Sequence, residues 1–353
     1  KNKKIIITGH TGFKGSWLSL WLNYLGAKVY GISDRVLTNP SNYKINSKNI
    51  FKKSYFFNIE NQNKLRTIIK KIKPDFIFHL AAQALVKKSY NNPHSTFISN
   101  SIGTLNLLNS LKNIKFKKKC SLVLITSDKS YKNREIKKGY VEEDLLGGYD
   151  PYSASKACAE LIIKSYIESF FKNDDYLRIG IARAGNVIGG GDWSEDRLIP
   201  DLFKAYEKNN PLIIRNPNST RPWQHVLEAL NGYMVLGQKL YTNKKIHGHA
   251  FNFGPKNKSS ISVIRLIKMF NKELKNIKWK IVTSKNKFES KLLMLNSKKA
   301  FKYLNWHCVL KTDETLKFVV EWYKNFYSKN GIKVTKFSIQ QIEEYSKIIG
   351  KRY

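Results

Sequence analysis

The sequence predicts an α/β fold, a doubly wound parallel sheet with a smaller C-terminal domain beside it. Three observations point there. Short apolar strands alternate with helices through the first half of the 353 residues. A glycine-rich turn joins the first strand to the first helix. Past Asn186 the alternation gives way to shorter segments punctuated by Gly, Pro and Trp.

Residues 4–8 read as a strand and the apolar run Ser16–Tyr24 as a helix. Gly26 ends that helix, and Lys28–Ile32 returns as the second strand. Such a βαβ unit implies parallel strands joined by a right-handed crossover. A third strand is expected just before Asn58. Lys64–Lys73 reads as helix closed by Pro74, and Asp75–Leu80 as strand. Thr96–Leu111 is expected as helix and Ser121–Thr126 as strand. Ser153–Phe171 is expected as a long helix and Tyr176–Arg183 as the next strand. This series is Rossmann-type. We expect one domain over 1–186, with a return segment at about 224–253, and a second over 187–353. No Gly/Ser linker separates them, so they should pack closely.

A chain that is 42% hydrophobic can fill such a core. No apolar run reaches the roughly 18–20 residues that cross a bilayer. The polar turn after Ile5-Ile6-Ile7 does not resemble a signal-peptide cleavage region, so a cytoplasmic protein is expected. Cys120, Cys158 and Cys308 are too scattered for a disulfide framework or a metal cluster, and no metal is expected. The net charge of +37 raises the question of nucleic acid. Its lysines are spread along the chain with no long like-charge block, which reads as a solvated surface without specific nucleic-acid binding. Phosphate-bearing substrates would still be drawn toward it.

Thr8–Gly15 places glycines three apart between a strand and a helix. Glycine permits the tight turn, close approach of a pyrophosphate and close helix packing, while the helix aims its N–H groups at the phosphates. Gly9, Thr11, Gly12, Phe13 and Gly15 are therefore candidate dinucleotide contacts. The acidic residue expected at the end of the second strand is Asp34, after Ser33. Asp34 can reach a ribose hydroxyl and would repel a 2′-phosphate, which favours NAD, whereas the adjacent Arg35 would favour NADP.

Tyr152-Ser153-Ala154-Ser155-Lys156 puts a phenol and an ammonium on one helix face. The lysine's charge should lower the tyrosine's pKa, so that a phenolate can act as base on a substrate hydroxyl. Thr126-Ser127 closes the preceding strand with hydroxyls, and His79-Leu80-Ala81-Ala82 closes the fourth. Together these motifs resemble the extended short-chain dehydrogenase/reductases, enzymes of nucleotide sugars. The stretches Gly9–Leu22, Thr126–Tyr131, Asp150–Leu161, Arg183–Asp201 and Arg221–Glu228 are similar to the nucleotide-sugar 4,6-dehydratases among them. The likeness spans nearly the whole chain and is weakest after about residue 255. Ser130 stands where those relatives commonly have Cys, and Ile136 where they commonly have Trp.

The resemblance implies NAD as cofactor and CDP-glucose or a related nucleotide-hexose as substrate. It implies that Tyr152 takes the O4 proton, with Ser127 and Lys156 completing the site. It assigns Asp128 as the acid that helps the C6 hydroxyl leave and Lys129 as the base at C5. A dry site that disfavours both charges would hold that pair neutral. By the same resemblance Asn58 and Ile59 lie near the adenine, and Leu80, Ala81 and Ala82 also line the cofactor. Asn186, Arg197 and Arg221 are expected near the diphosphate and sugar, where an arginine fork binds phosphate oxygens in pairs. His225, Trp193 and Trp223 are expected to support the fold. The helices 96–111 and 153–171 should pair across a two-fold axis as a homodimer. The competing readings are a nucleotide-sugar epimerase, a dTDP- or GDP-sugar dehydratase, and a non-catalytic nucleotide sensor.

Overall fold

The computed structural model describes residues 1–255, 260–282, 292–328 and 331–352. The others all fall within the 187–353 segment and lie outside this description. Seven parallel strands form the central sheet. In chain order the first six are β1 (Lys4–Thr8), β2 (Lys28–Ser33), β3 (Phe51–Phe56), β4 (Phe76–His79), β5 (Cys120–Ile125) and β6 (Leu177–Ala184). Across the sheet they run β3-β2-β1-β4-β5-β6, and Ala250–Phe253 adds a seventh strand beyond β6. The Rossmann-type expectation is met.

Both faces of the sheet are covered, so its inner strands read as unbroken apolar runs. Alternate residues serve opposite cores. Ile5, Ile7 and Val123 join one cluster, while Ile6, Leu122 and Leu124 join the other. The first cluster continues through Trp17 and Trp21 into Trp322, Tyr323 and Tyr345, so both halves of the chain share one core. Trp193 packs edge-on against Trp322 and Tyr323. His225 caps the helix Val226–Thr242, its ring nitrogen accepting the Leu227 N–H at 3.3 Å.

The structure departs from expectation where caps and packing decide boundaries. The first helix begins at Phe13 rather than Ser16, because Gly12 is its N-cap. The Tyr152 helix begins at Pro151, where Asp150 accepts the Ser153 N–H at 2.9 Å. Each of the two expected long helices contains a π-helical turn, at Ile98–Ile102 and Ile167–Phe171. In the first, Asn100 is drawn to Gln83 and Ser155. After Asn186 the strands are short, but the helices are not. Val226–Thr242 has 17 residues and Val334–Arg352 has 19. The former lies on the large sheet beside β5 and β6, and the latter packs Tyr345 edge-on against Trp21. No described helix is long and apolar enough to cross a membrane. None of the three cysteines forms a disulfide among the described residues. Only Cys120 is buried, while Cys158 and Cys308 are partly exposed.

Candidate active site

The strand order reverses between β1 and β4, and ligands of open α/β sheets bind at that switch, beyond the carboxyl ends of the strands. The candidate residues gather there from separate strands. Thr8-Gly9 leaves β1, Ser33-Asp34 leaves β2, Leu80–Ala82 leaves β4, Thr126–Lys129 leaves β5, and Gly185-Asn186 leaves β6.

The glycine turn is packed backbone to backbone. Gly9 has φ +73°, and a Cβ there would lie 2.7 Å from the Ala81 nitrogen. A Cβ at Gly15 would lie 2.1 Å from the Gly9 carbonyl oxygen. At Gly12 the nearest atom would be 3.4 Å away, so this is the open side of the turn. The first helix has no side-chain cap and no acidic residue in its first turn, which leaves its positive end available to an anion. Thr11 is turned inward, its hydroxyl donating to the Arg35 carbonyl at 2.7 Å beside the Ser33 hydroxyl at 3.0 Å. Phe13 is half-buried against the first core.

At the end of β2, Asp34 is exposed and accepts the Arg35 N–H at 2.8 Å. Asn58 is exposed and bonded to Glu60. Ile59 is buried in the second core. Leu80, Ala81 and Ala82 are half-buried where β4 meets the turn.

The second cluster lies where β5 meets the Tyr152 helix. Ser127 donates to Asp128 Oδ1 at 3.0 Å and accepts the Lys129 N–H at 3.2 Å. Asp128 is buried, and burial pushes its carboxyl above the usual range against the opposing pull of Lys129. Lys129 is half-buried beside it. Tyr152 is buried beside Ser127. Its pKa is raised by burial, contrary to the expected lowering, and the neighbouring Ser127 opposes the rise. Lys156 is itself brought down to about 7, by burial and then by the charge of Lys14.

Gly185 lies against Asp128, with 3.1 Å left between a Cβ there and Oδ2. The adjoining Asn186 is half-buried, and its carbonyl accepts the Gln224 N–H at 3.3 Å. Arg221 is buried within electrostatic range of Asp128. Arg197 pairs with the buried Asp192 at 3.2 Å. The structure thus brings Ser127, Asp128, Lys129, Tyr152, Lys156 and Arg221 to one place, while Asp34 and Asn58 stand at its outer rim.

Three groups went unassigned in the sequence. Lys14 reaches the Tyr233 hydroxyl at 3.4 Å, and its pKa falls to about 8, through burial first and then Arg197, with Asp128 and Asp192 opposing. Asp192 is the partner of Arg197. Glu160 is fully buried one turn beyond Lys156. Lys14 inside the glycine turn and Glu160 four residues after Lys156 were the signals available for two of them.

The family model for GDP-mannose 4,6 dehydratase matches residues 6–319. A CDP-glucose 4,6-dehydratase of Salmonella typhimurium is 44% identical over 329 residues, 92% of this chain and 91% of that protein. Among solved structures, a UDP-glucuronic acid 4-epimerase from Bacillus cereus, in complex with UDP-glucuronic acid and NAD, superposes with TM-score 0.78 at 24% identity. It covers 92% of this chain and 100% of that one. A dTDP-glucose 4,6-dehydratase from Bacillus anthracis, in complex with NAD, gives TM-score 0.74 at 21% identity, covering 92% and 97%.

Proposed function

We propose, from the premise that this chain belongs to the GDP-mannose 4,6 dehydratase family, that it is an NAD-dependent CDP-glucose 4,6-dehydratase. It is a hydro-lyase that converts CDP-glucose into CDP-4-dehydro-6-deoxyglucose and water. The observation that carries the reading is the Asp128 carboxyl, buried beside Ser127 and pushed toward its protonated form. A 4-epimerase performs no elimination and has no work for an acid at that point.

The glycine turn fits a dinucleotide diphosphate, through its backbone-tight Gly9 and Gly15 and its open Gly12. In this reading Gly9, Thr11, Gly12, Phe13 and Gly15 hold the diphosphate of NAD and Asp34 its ribose. Asn58 and Ile59 flank the adenine, Leu80, Ala81 and Ala82 line the middle, and Tyr152 and Lys156 hold the nicotinamide ribose. Bound NAD supplies the hydride acceptor for C4 and the donor for C6.

Tyr152 takes the O4 proton as C4 is oxidised. The new ketone acidifies the C5 hydrogen, which Lys129 removes. Asp128 gives its proton to the C6 hydroxyl, which leaves as water. Lys129 then returns a proton to C5. At that point Tyr152 holds one proton too many and Asp128 lacks one. Ser127, bonded to Asp128 and next to Tyr152, is the path that resets them. Asn186, Arg197 and Arg221 hold the sugar diphosphate, with Arg197 exchanging Asp192 for phosphate oxygens.

In the same reading residues 1–186 with 224–253 hold the cofactor and the rest of 187–353 receives the sugar nucleotide. Exposed Ile102, Leu161 and Phe170 support a homodimer through the helices 96–111 and 153–171. Three cysteines outside any disulfide support a cytoplasmic setting. The test is incubation with CDP-, dTDP-, GDP- and UDP-hexoses, read by the alkaline absorbance of a 4-keto-6-deoxy product. CDP-glucose should react fastest. Faster turnover of another nucleotide would reject the CDP assignment.

A further inference from the structure

We infer that Glu160, locked by Arg183, is a positioning residue that holds the Ser127-Asp128-Lys129 turn in register with the helix carrying Tyr152 and Lys156. The inference rests on the catalytic reading above and adds a part to it. Glu160 Oε1 accepts the Thr126 hydroxyl at 2.7 Å and the Ser130 hydroxyl at 2.9 Å. These two residues bracket the three that carry the acid–base chemistry. The Ser130 hydroxyl also lies 2.6 Å from the Ser127 carbonyl, so its single proton serves acceptors on both sides. Arg183 clamps the carboxylate from behind, with Nε at 2.8 and 3.0 Å from its two oxygens and Nη2 at 2.5 Å. Arg183 is in turn fixed by the Tyr131 hydroxyl at 2.6 Å and the Glu142 carbonyl at 3.0 Å. Glu160, Arg183 and Ser130 are all inaccessible to solvent.

Glu160 also stands eight residues after Tyr152 and four after Lys156 on one helix. Residues spaced by four share a helix face. One carboxylate therefore ties the tyrosine–lysine element to the strand end that carries the serine, aspartate and lysine. A buried carboxylate with a bidentate arginine and two hydroxyl donors is fully satisfied, and such a network admits one arrangement. Elimination across C5–C6 requires Asp128 and Lys129 to reach opposite ends of that bond, so it depends most on this tether. Oxidation at C4 uses Tyr152 and Lys156, which their own helix positions, and Ser127, whose neighbour Thr126 stays tethered to Glu160 without Ser130.

Glu160→Gln is the direct variant, but it strands the Arg183 charge and puts folding at risk. The decisive variants are Ser130→Ala, which removes one tether, and Ser130→Cys, which restores a donor of nearly the same shape. In single turnovers with CDP-glucose, Ser130→Ala should slow elimination by about 10- to 10²-fold, the cost of a displaced catalytic group. Reduced cofactor should still appear at close to the wild-type rate and then accumulate. Ser130→Cys should recover most of the loss. In the cofactor-free protein, Ser130→Ala should speed amide hydrogen exchange across residues 128–131. Equal slowing of oxidation and elimination, or no rescue by Cys, would overturn the inference. Unchanged exchange in that turn would overturn the tether itself. Wild-type protein that dehydrates no nucleotide-hexose would instead sink the catalytic reading, with the exchange arm still judging the tether.

Discussion

Lys129→Met should keep its fold, still oxidise CDP-glucose at C4, and stop there with reduced cofactor accumulating on the enzyme. The side chain is half-buried and Met matches its length and apolar stem. The bond that Lys129 gives to Ser127 comes from its backbone N–H, so the turn survives the substitution. Met brings no charge beside Asp128, and burial still holds that carboxyl toward its protonated form. What disappears is the base at C5. A positioned general base contributes about 10²–10⁴-fold to the step it serves. Stopped-flow absorbance of the reduced nicotinamide should show a normal rise without the wild-type decay. In deuterated water wild-type product should carry deuterium at C5, and sugar recovered from the variant almost none. Rapid C5 exchange in the variant would remove Lys129 from the mechanism.

Tyr152→Phe should fail one step earlier. Its hydroxyl is the group proposed to take the O4 proton, and it lies beside Ser127 inside the buried cluster. Phe retains the ring and its packing and deletes only that oxygen. The first oxidation should fall by about 10²–10⁴-fold, so no reduced cofactor accumulates. Because burial raises the phenol, wild-type oxidation should quicken as pH rises toward the tyrosine's ionisation. That dependence should be absent in the variant. The two substitutions thus separate the half-reactions: one traps the ketone stage, the other never reaches it. A Tyr152→Phe enzyme that reduces bound cofactor at the wild-type rate would assign the O4 proton to another base.

What could be read in advance followed from periodicity and local turn chemistry. The sheet was legible because strands buried on both faces are apolar throughout, as in Ile5-Ile6-Ile7 and Leu122-Val123-Leu124. Helix starts were less so, since Gly12 and Asp150 set them through caps that apolar periodicity does not mark. The helices after Asn186 were underestimated. Val226–Thr242 buries Glu228 and Asn231 along with its apolar residues, and Glu228 accepts the Val309 and Leu310 N–H groups and the Tyr345 hydroxyl. A polar residue satisfied from a distant segment looks in sequence like a solvent face. The site was legible where its parts are neighbours in the chain, as Ser127-Asp128-Lys129 and Tyr152–Lys156 are. The clamp of Glu160 by Arg183, with Tyr131 behind it, joins residues 23 and 52 positions apart, and only the folded sheet brings them together.

CDP-glucose carrying deuterium at C4, turned over in ordinary water, tests the central claim most directly. An internal oxidation, elimination and return of hydride moves that deuterium to C6. The account predicts a product lighter by one water, with the deuterium in its new methyl group. A hexose recovered with its deuterium still on C4, inverted there or unchanged, and with no water lost, would contradict it.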